Sequence, residues 1–392
     1  MTALPGSLPA RPQAGESEPV TPALSTPGLL LKLYRPDLVR ALEALDIPPY
    51  RYAQVLEHLL RHPDTPFSEA TSLPTELRAA LADLGHNTLE TAAHAVAADG
   101  TTKFLCRTRD GHEVECVFMP YGRRATVCVS SQVGCPVGCV FCATGGLGFR
   151  RDLSAAEIVD QVRLAAVAAA RTGHRLSNVV YMGMGEPLLN LPAVLASIRL
   201  LTYPRGVGLS HRALSVSTIG LPAGIRRLAR AEPQVNLALS LHAATDELRR
   251  RLVPGRYCQP LAAVMAAARD HFALTHRKLL VEYVLLEGIN DSPEDARNLA
   301  RLLKGMVVTV NLLPWNPLPR SLLRDPGGTG RPDSARTAAL RFAPSPLATV
   351  QTFAEILRRA DIEAVMRRSK GAEIRAACGQ LAADRGSYRA RG

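Results

Sequence analysis

The pattern of apolar and polar positions divides the chain into several parts. Residues 1–27 are rich in Pro, Ser, Gly and Ala, a composition typical of a disordered tail. Between residues 36 and 95 apolar residues recur at helical spacing, so residues 28–100 are predicted to form a small helical accessory domain. The clearest helical run consists of Tyr52, Val55, Leu56, Leu59 and Leu60.

A β-hairpin is predicted directly after the helical part. Residues from Phe104 to Met119 alternate between apolar and polar, with Asp110-Gly111 in the middle, where a tight turn favours these residue types. We therefore assign residues 101–124 to a hairpin that links the helical domain to the rest of the chain.

Strands and helices alternate from residue 125 onward. The predicted strands are Ala125–Ser130, Asn178–Met182, Ala213–Thr218, Val235–Leu241, Leu279–Leu286 and Val307–Leu313. Alternation of this kind implies parallel strands with right-handed crossovers. Residues 125–392 are thus predicted to form an α/β domain, a partial (β/α)6 barrel. Residues 318–346 break the rhythm and are interpreted as a flexible polar insertion.

Composition narrows the class of protein. No apolar run approaches the roughly 20 residues of a membrane span, and no secretory signal is recognisable, so we expect a cytoplasmic protein without a membrane partner. The chain of 392 residues has a net charge of +12, which favours a polyanion such as RNA as partner. An arginine-rich composition with solvated faces would account for the charge equally well.

Three of the eight cysteines are crowded into one short segment. Cys135, Cys139 and Cys142 have the spacing C-x-x-x-C-x-x-C and follow the first barrel strand, at the end where such barrels carry their active sites. Three thiolates can hold three irons of a four-iron cluster and leave the fourth iron open. A zinc ion with a more distant fourth ligand, such as Cys128 or a histidine, is the alternative.

Polar residues and glycines follow the ends of the other predicted strands, where a ligand site at the barrel mouth would need them. Each one alone is as well explained as a turn or capping residue. These positions are Gly185 and Glu186 in Met-Gly-Met-Gly-Glu-Pro, Ser217, Ser240-Leu241-His242, and Asn316 in Pro-Trp-Asn-Pro.

These motifs together resemble those of one family. The cysteine spacing resembles that of radical S-adenosylmethionine (SAM) enzymes. With the stretches Cys128–Cys135 and Ala376–Leu381 added, residues 30–384 closely resemble the RlmN family of radical SAM enzymes, dual-specificity methyltransferases acting on adenine C2 in 23S rRNA and tRNA. The sister family Cfr shares most of the machinery and methylates adenine C8.

The resemblance implies a ligand set and two cofactors. Cys135, Cys139 and Cys142 would bind one [4Fe-4S] cluster, and two SAM molecules would be consumed per turnover. The residues that match the family's SAM contacts are Gly185, Glu186, Ser217, Ser240, Leu241, His242 and Asn316.

The resemblance also implies three catalytic roles. Cys378 matches the cysteine that is methylated and then bonded covalently to RNA, Cys128 the thiol that resolves this adduct by forming a disulfide, and Glu115 the proton acceptor. Without the resemblance, Cys128 would be interpreted as a core cysteine of a strand. Cys106, Cys116 and Cys258 match no family role and are expected to be structural.

Partners follow from the same resemblance. We expect 23S rRNA and tRNA as substrates, a flavodoxin-like electron donor, and a monomeric enzyme. A Cfr-type methyltransferase and a non-catalytic, zinc-containing RNA-binding protein are the alternative functions. The basic residues expected near Cys378 are Arg367, Arg368, Lys370, Arg375, Arg385, Arg389 and Arg391.

Overall fold

The computed structural model describes residues 26–319, 322, 342–383 and 388. Most of the tail predicted for residues 1–27, and most of the insertion predicted for residues 318–346, lie outside the described residues. Arg385, Arg389 and Arg391 lie outside them as well.

Four helices open the described part of the chain. They are α1 (Pro27–Tyr34), α2 (Pro36–Ala44), α3 (Pro49–Arg61) and α4 (Thr75–Ala82). The first three each begin with proline, whose missing N–H costs nothing in the first turn. The structure therefore has helices in this region, as the apolar periodicity predicts.

Residues 89–96 correct that prediction at its end. They form strand β1 (Leu89–Val96), which pairs antiparallel with β2 (Thr102–Thr108), rather than the last part of a helical domain. Asp99-Gly100 makes the turn between them, with Gly100 at φ +80°. Pairing with the next strand decides the conformation here, because strand formation depends more on neighbours than on local propensity.

The predicted hairpin is present. Strands β2 and β3 (Glu113–Tyr121) pair antiparallel around Asp110-Gly111, and β3 continues into an antiparallel pairing with β4 (Arg124–Cys128). Gly111 has φ +84°, a value that glycine adopts without strain. The hairpin thus extends the sheet of the barrel.

The ten-stranded sheet has the order β1-β2-β3-β4-β7-β8-β9-β10-β11-β12, and all neighbours from β4 onward are parallel. This arrangement is the partial barrel that the alternating pattern predicts. The remaining parallel strands are β7 (Arg175–Tyr181), β8 (Leu214–Thr218), β9 (Asn236–Ser240), β10 (Leu279–Leu285), β11 (Val308–Pro314) and β12 (Glu363–Met366).

Helices connect the parallel strands. They are α6 (Ala155–Arg171), α7 (Leu191–Thr202), α8 (Pro222–Ala231), α9 (Asp246–Leu252), α10 (Leu261–Thr275), α11 (Pro293–Leu303) and α12 (Leu347–Arg359). A capping box at Ser154 and Glu157 starts α6, and another at Ser292 and Asp295 starts α11. Among the described residues, none of the helices is both long and apolar enough to cross a bilayer.

A short loop structure lies between β4 and α6. Strand β5 (Gln132–Gly134) pairs antiparallel with β6 (Phe149–Asp152), and the one-turn helix α5 (Ala143–Gly146) lies between them. The three clustered cysteines occupy the segment between β5 and α5.

One apolar core joins the helical region to the sheet. A buried ion pair also fixes this junction: Arg163 donates to Asp160 at 2.6 Å, and Tyr34 Oη and the Thr88 N–H donate to the same carboxylate at 2.7 and 2.6 Å. The domain boundaries at residues 28, 100 and 124 stay a prediction.

Replacing Asp160 by alanine should lower the free energy of unfolding by about 3–5 kcal/mol, because Arg163 would keep a buried charge without its partner. Denaturant unfolding at neutral pH measures the change. Glu294→Gln, which removes an exposed carboxylate from α11, is the matched control and should leave the unfolding curve almost unchanged. Equal effects of the two substitutions would contradict this account of the junction.

Candidate active site

A cavity of about 1020 Å³, counted with its open mouth, lies at the carboxyl ends of the parallel strands. It brings together residues that are far apart in the chain. The predicted site residues that line it are Cys135, Cys139, Cys142, Gly185, Glu186, Ser217, Ser240, His242, Asn316 and Cys378.

The three-cysteine loop, residues 135–142, is held by bonds at both ends. The Cys135 N–H donates to the Gly148 carbonyl at 2.8 Å, and the Trp315 indole N–H donates to the Phe141 carbonyl at 2.9 Å. Gly145 packs directly beneath the loop: a Cβ there would lie 2.6 Å from the Cys139 carbonyl oxygen. The loop can therefore present its thiols in a constant arrangement.

Burial raises the pKa of the Cys135 thiol to about 12, and it raises the pKa of the Cys139 and Cys142 thiols as well. The raised pKa values favour the protonated thiols. A cationic iron centre would favour the thiolates instead, since a thiol that binds a metal is deprotonated. Three soft donors in one loop beside an open cavity fit a four-iron cluster with a free iron. Among the described residues, no group of three His, Cys, Asp or Glu side chains is placed to bind one single metal ion.

The glycine-rich loop after β7 carries Glu186. Its carboxylate accepts from the N–H groups of Leu188 at 3.0 Å and Ile219 at 2.9 Å, and burial raises its pKa to about 7. A carboxylate offers about four acceptor positions, so Glu186 retains capacity for a donor in the cavity.

Gly185 is required by close approach. Its φ is +101°, and a Cβ at this position would lie 2.6 Å from the Gln132 Cβ and 2.9 Å from the Gln132 backbone nitrogen. Gln132 in turn accepts from the Glu186 N–H at 2.9 Å. The loop after β7 and strand β5 are thereby locked together at the cavity wall.

Ser217, Ser240 and His242 lie on neighbouring strand ends. The hydroxyls of Ser217 and Ser240 are hydrogen-bonded at 3.0 Å. His242 Nδ1 accepts from the Val284 N–H at 3.1 Å, so Nε2 carries the proton of the neutral ring. Burial, with a smaller effect of Arg249, lowers the pKa of His242 to about 3. His242 is therefore a neutral donor at this wall.

Leu241 does not line the cavity. Its side chain is fully buried in the core, because it alternates along the chain with Ser240 and His242. Its N–H donates to the Glu282 carbonyl at 3.0 Å. Any contact of Leu241 with a ligand would therefore have to come from its backbone carbonyl group.

The C-terminal segment, residues 376–383, packs against helix α5, which directly follows the three-cysteine loop. The Ala143 N–H donates to the Gly379 carbonyl at 2.8 Å, and Thr144 Oγ1 donates to the Leu381 carbonyl at 2.6 Å. Asn316 donates to the Cys378 carbonyl at 3.1 Å. These bonds place the exposed Cys378 side chain in the cavity.

Solvent reaches Cys378, yet the surrounding protein and the Glu282 carboxylate raise its pKa to about 11. Cys128 lies on β4 outside the cavity lining and is almost buried. Burial, and then the nearby Cys378 sulfur, raise the pKa of Cys128 as well. Cys378 thus acts on Cys128 electrostatically, although 250 positions separate the two thiols.

Glu115 lies outside the cavity lining as well. Its carboxylate is fully buried, forms an ion pair with the buried Lys103 at 3.0 Å, and accepts from the Ala382 N–H at 2.8 Å and from Tyr388 Oη at 2.6 Å. The hairpin therefore brings Glu115 under the C-terminal segment.

Two charged residues at or near the site, Glu282 and Lys103, were not identified from the sequence. Glu282 lines the cavity from the middle of β10 and accepts from Asn311 at 2.8 Å. A lone carboxylate in an otherwise apolar strand is the signal that could have identified it. Lys103, the partner of Glu115, gives no such signal, since lysine is common in hairpins.

The fold is a partial parallel barrel with a thiol-lined cavity at the carboxyl ends of its strands. Residues 129–303 match the Radical SAM superfamily, and this match defines the class of protein. Membership implies a [4Fe-4S] cluster and SAM. A crystal structure of a radical SAM methyltransferase from Sphaerobacter thermophilus superposes with a TM-score of 0.80 at 42% identity, covering 88% of this chain and 96% of that one.

Curated relatives identify the family. A probable dual-specificity RNA methyltransferase RlmN from Thermus thermophilus is 44% identical over 85% of this chain and 89% of its own. The dual-specificity RNA methyltransferase RlmN from Syntrophobacter fumaroxidans is 42% identical over 90% of this chain and 97% of its own. The chain belongs to the RlmN family and is a radical SAM RNA methyltransferase.

Replacing Gly185 by alanine should weaken SAM binding by about tenfold or more, because the added Cβ displaces the loop that carries Glu186. Equilibrium dialysis of the reconstituted protein with labelled SAM measures the affinity. Gly173→Ala is the matched control: its φ is +72°, yet nothing lies within 4 Å of an added Cβ. The control has the same backbone strain but no steric contact with a neighbouring residue. The same loss of SAM affinity in both variants would therefore refute a role of the Gly185 loop in SAM binding.

Proposed function

We propose that this protein methylates C2 of an adenine in 23S rRNA and in tRNA, through a methylated Cys378 and a covalent protein–RNA intermediate. The observation that carries the proposal is the docking of the C-terminal segment against helix α5, directly after the three-cysteine loop. Four polar contacts support it: those to Ala143, Thr144 and Asn316, and a bond of 3.1 Å from Gln380 to the Pro317 carbonyl.

Binding roles follow from the cavity wall. Cys135, Cys139 and Cys142 would hold the cluster and leave one iron free. When bound, the cluster and SAM supply the methyl group and the radical that abstracts hydrogen. The residues that would orient SAM are Gly185, Glu186, Ser217, Ser240, His242 and Asn316, with Leu241 limited to its backbone.

The chemistry of the chain itself centres on sulfur. Cys378 gives up its thiol proton and takes a methyl group. Once a hydrogen atom has been abstracted from that group, its carbon bonds to C2 of adenine, and the electron left unpaired on the adduct would return to the cluster. The C2 proton passes to Glu115. The Cys128 thiolate then attacks the Cys378 sulfur, so that the carbon–sulfur bond breaks and a disulfide forms, and the released carbon takes up a proton to become the methyl group of the product. Glu115 has to exchange its contacts with Ala382 and Tyr388 for this task.

The same scheme sets the stoichiometry and the partners. One SAM methylates Cys378 and a second one provides the radical, so two are used per turnover. The cluster needs an electron, for which a flavodoxin-like donor in the cytoplasm is suited, and we expect a monomeric enzyme. The described basic residues that could contact RNA phosphates are Arg367, Arg368, Lys370 and Arg375.

Incubation of RNA with the reconstituted protein, reductant and SAM should yield 2-methyladenosine. Nucleoside mass spectrometry measures the product. Cys378→Ala should lose the product entirely, whereas Cys258→Ala, which removes a thiol outside the cavity lining, should retain it. The appearance of 8-methyladenosine alone would instead favour a Cfr-type enzyme. A colourless protein with stoichiometric zinc would favour the non-catalytic alternative.

Replacing Cys128 by alanine should trap the protein on RNA, because no thiol remains to attack the Cys378 sulfur. A denaturing gel with labelled RNA detects the adduct. Cys116→Ala, one strand away on β3 and equally buried, is the control and should release its product. Recovery of free RNA alone from the Cys128 variant would rule out its resolving role.

A further inference from the structure

Arg249 is a fully buried arginine in helix α9, behind the cavity. Its guanidinium donates to the carbonyl oxygens of Ile219 and of Gln259, the latter at 2.8 Å, and contacts Cys258 Sγ at 3.8 Å. Each of these partners is electrically neutral or a weak acceptor. An arginine stays protonated in proteins, so a full positive charge is buried here.

No carboxylate pairs with this charge among the residues that the structure describes. Asp246, one turn earlier in α9, acts on Arg249 only from beyond ion-pair distance, and its own oxygen accepts from the Leu261 N–H at 2.7 Å. Arg249 Nε is buried without any hydrogen-bond partner. Burying an unpaired charge is costly, so an anion is expected close by.

The contacts of α9 show where that anion would lie. The Val140 N–H of the three-cysteine loop donates to the Leu252 carbonyl at 3.1 Å, and Val137, Val140, Leu252 and Val253 share one apolar cluster. Arg249 therefore stands directly behind the cluster-binding loop.

We propose that Arg249 is a positioning residue that sets the reduction potential of the iron–sulfur cluster from behind the three-cysteine loop. Three thiolates outnumber the charge of an oxidised four-iron core, so the occupied site is anionic and becomes more so when it takes up one electron. A buried cation favours the reduced form, because net charge around a cluster is one of the factors that set its potential. The inference rests on the proposed cluster site.

The competing explanation is mechanical. Arg249 ties the loop after β8 at Ile219 to the segment at Gln259, and a purely structural role would end there. Loss of these hydrogen bonds would then lower the stability of the protein and leave the reduction potential of an intact cluster unchanged. The potential is thus the measurement that separates the two roles.

The experiment is a reductive titration of the reconstituted full-length protein, followed by electron paramagnetic resonance. Arg249→Gln should make reduction at least about tenfold less favourable, a shift of about 59 mV to more negative potential. Arg249→Lys keeps the charge, so the potential of this variant should return most of the way to the wild-type value. Arg163→Gln, which disturbs a buried arginine at the helical junction, should lower stability and leave the potential unchanged.

A second variant decides the matter should Arg249→Gln fail to take up iron. Cys258→Asp places a carboxylate beside the guanidinium and should shift the potential in the same direction, with Cys258→Asn as the neutral control. An unchanged potential in either test overturns the proposal. A wild-type protein that binds no cluster would instead contradict the proposed function, so the two failures are distinguishable.

Discussion

The hydrogen bonds between the C-terminal segment and helix α5, which directly follows the three-cysteine loop, are the interaction on which the site depends. Ala143 and Thr144 bind the carbonyl oxygens of Gly379 and Leu381 directly beside Cys142. They close the cavity with residues from the far end of the chain and bring Cys378 to the thiols of the loop. Without them the barrel would retain the three-cysteine loop, and the Cys378 sulfur would have no defined place.

Burial gives the cavity its chemical character. It raises the pKa of Glu186 to about 7 and that of Cys378 to about 11, and it keeps His242 neutral. Each shift disfavours the charged form, as burial does. Such surroundings suit radical chemistry, which the protein has to orient and shield from solvent. Two sets of charges stay buried near the cavity: Arg249 behind the loop, and the Lys103–Glu115 pair beneath the C-terminal segment. Their electrostatic interactions are stronger there than in water, because the dielectric constant is lower.

The RlmN family relationship and the geometry support each other at different levels. The relatives establish an RNA methyltransferase of the radical SAM class. The structure adds that Cys378 acts electrostatically on Cys128 and that Glu115 is covered by Ala382 and Tyr388. A reaction that uses Glu115 therefore includes a rearrangement of its cover, and the C-terminal segment is the element that has to move.

The sequence by itself determined the order of strands and helices and the polar residues at the strand ends, because both are local properties of spacing and alternation. It therefore predicted that Ser217, Ser240 and Asn316 lie at one cavity. It did not predict β1, whose conformation depends on pairing with β2. Only the tertiary structure decided that Glu115 is buried against Lys103, that Glu282 faces the cavity, and that Arg249 lies behind the cysteines. These are contacts between distant segments, and no local pattern records which buried charge meets which partner.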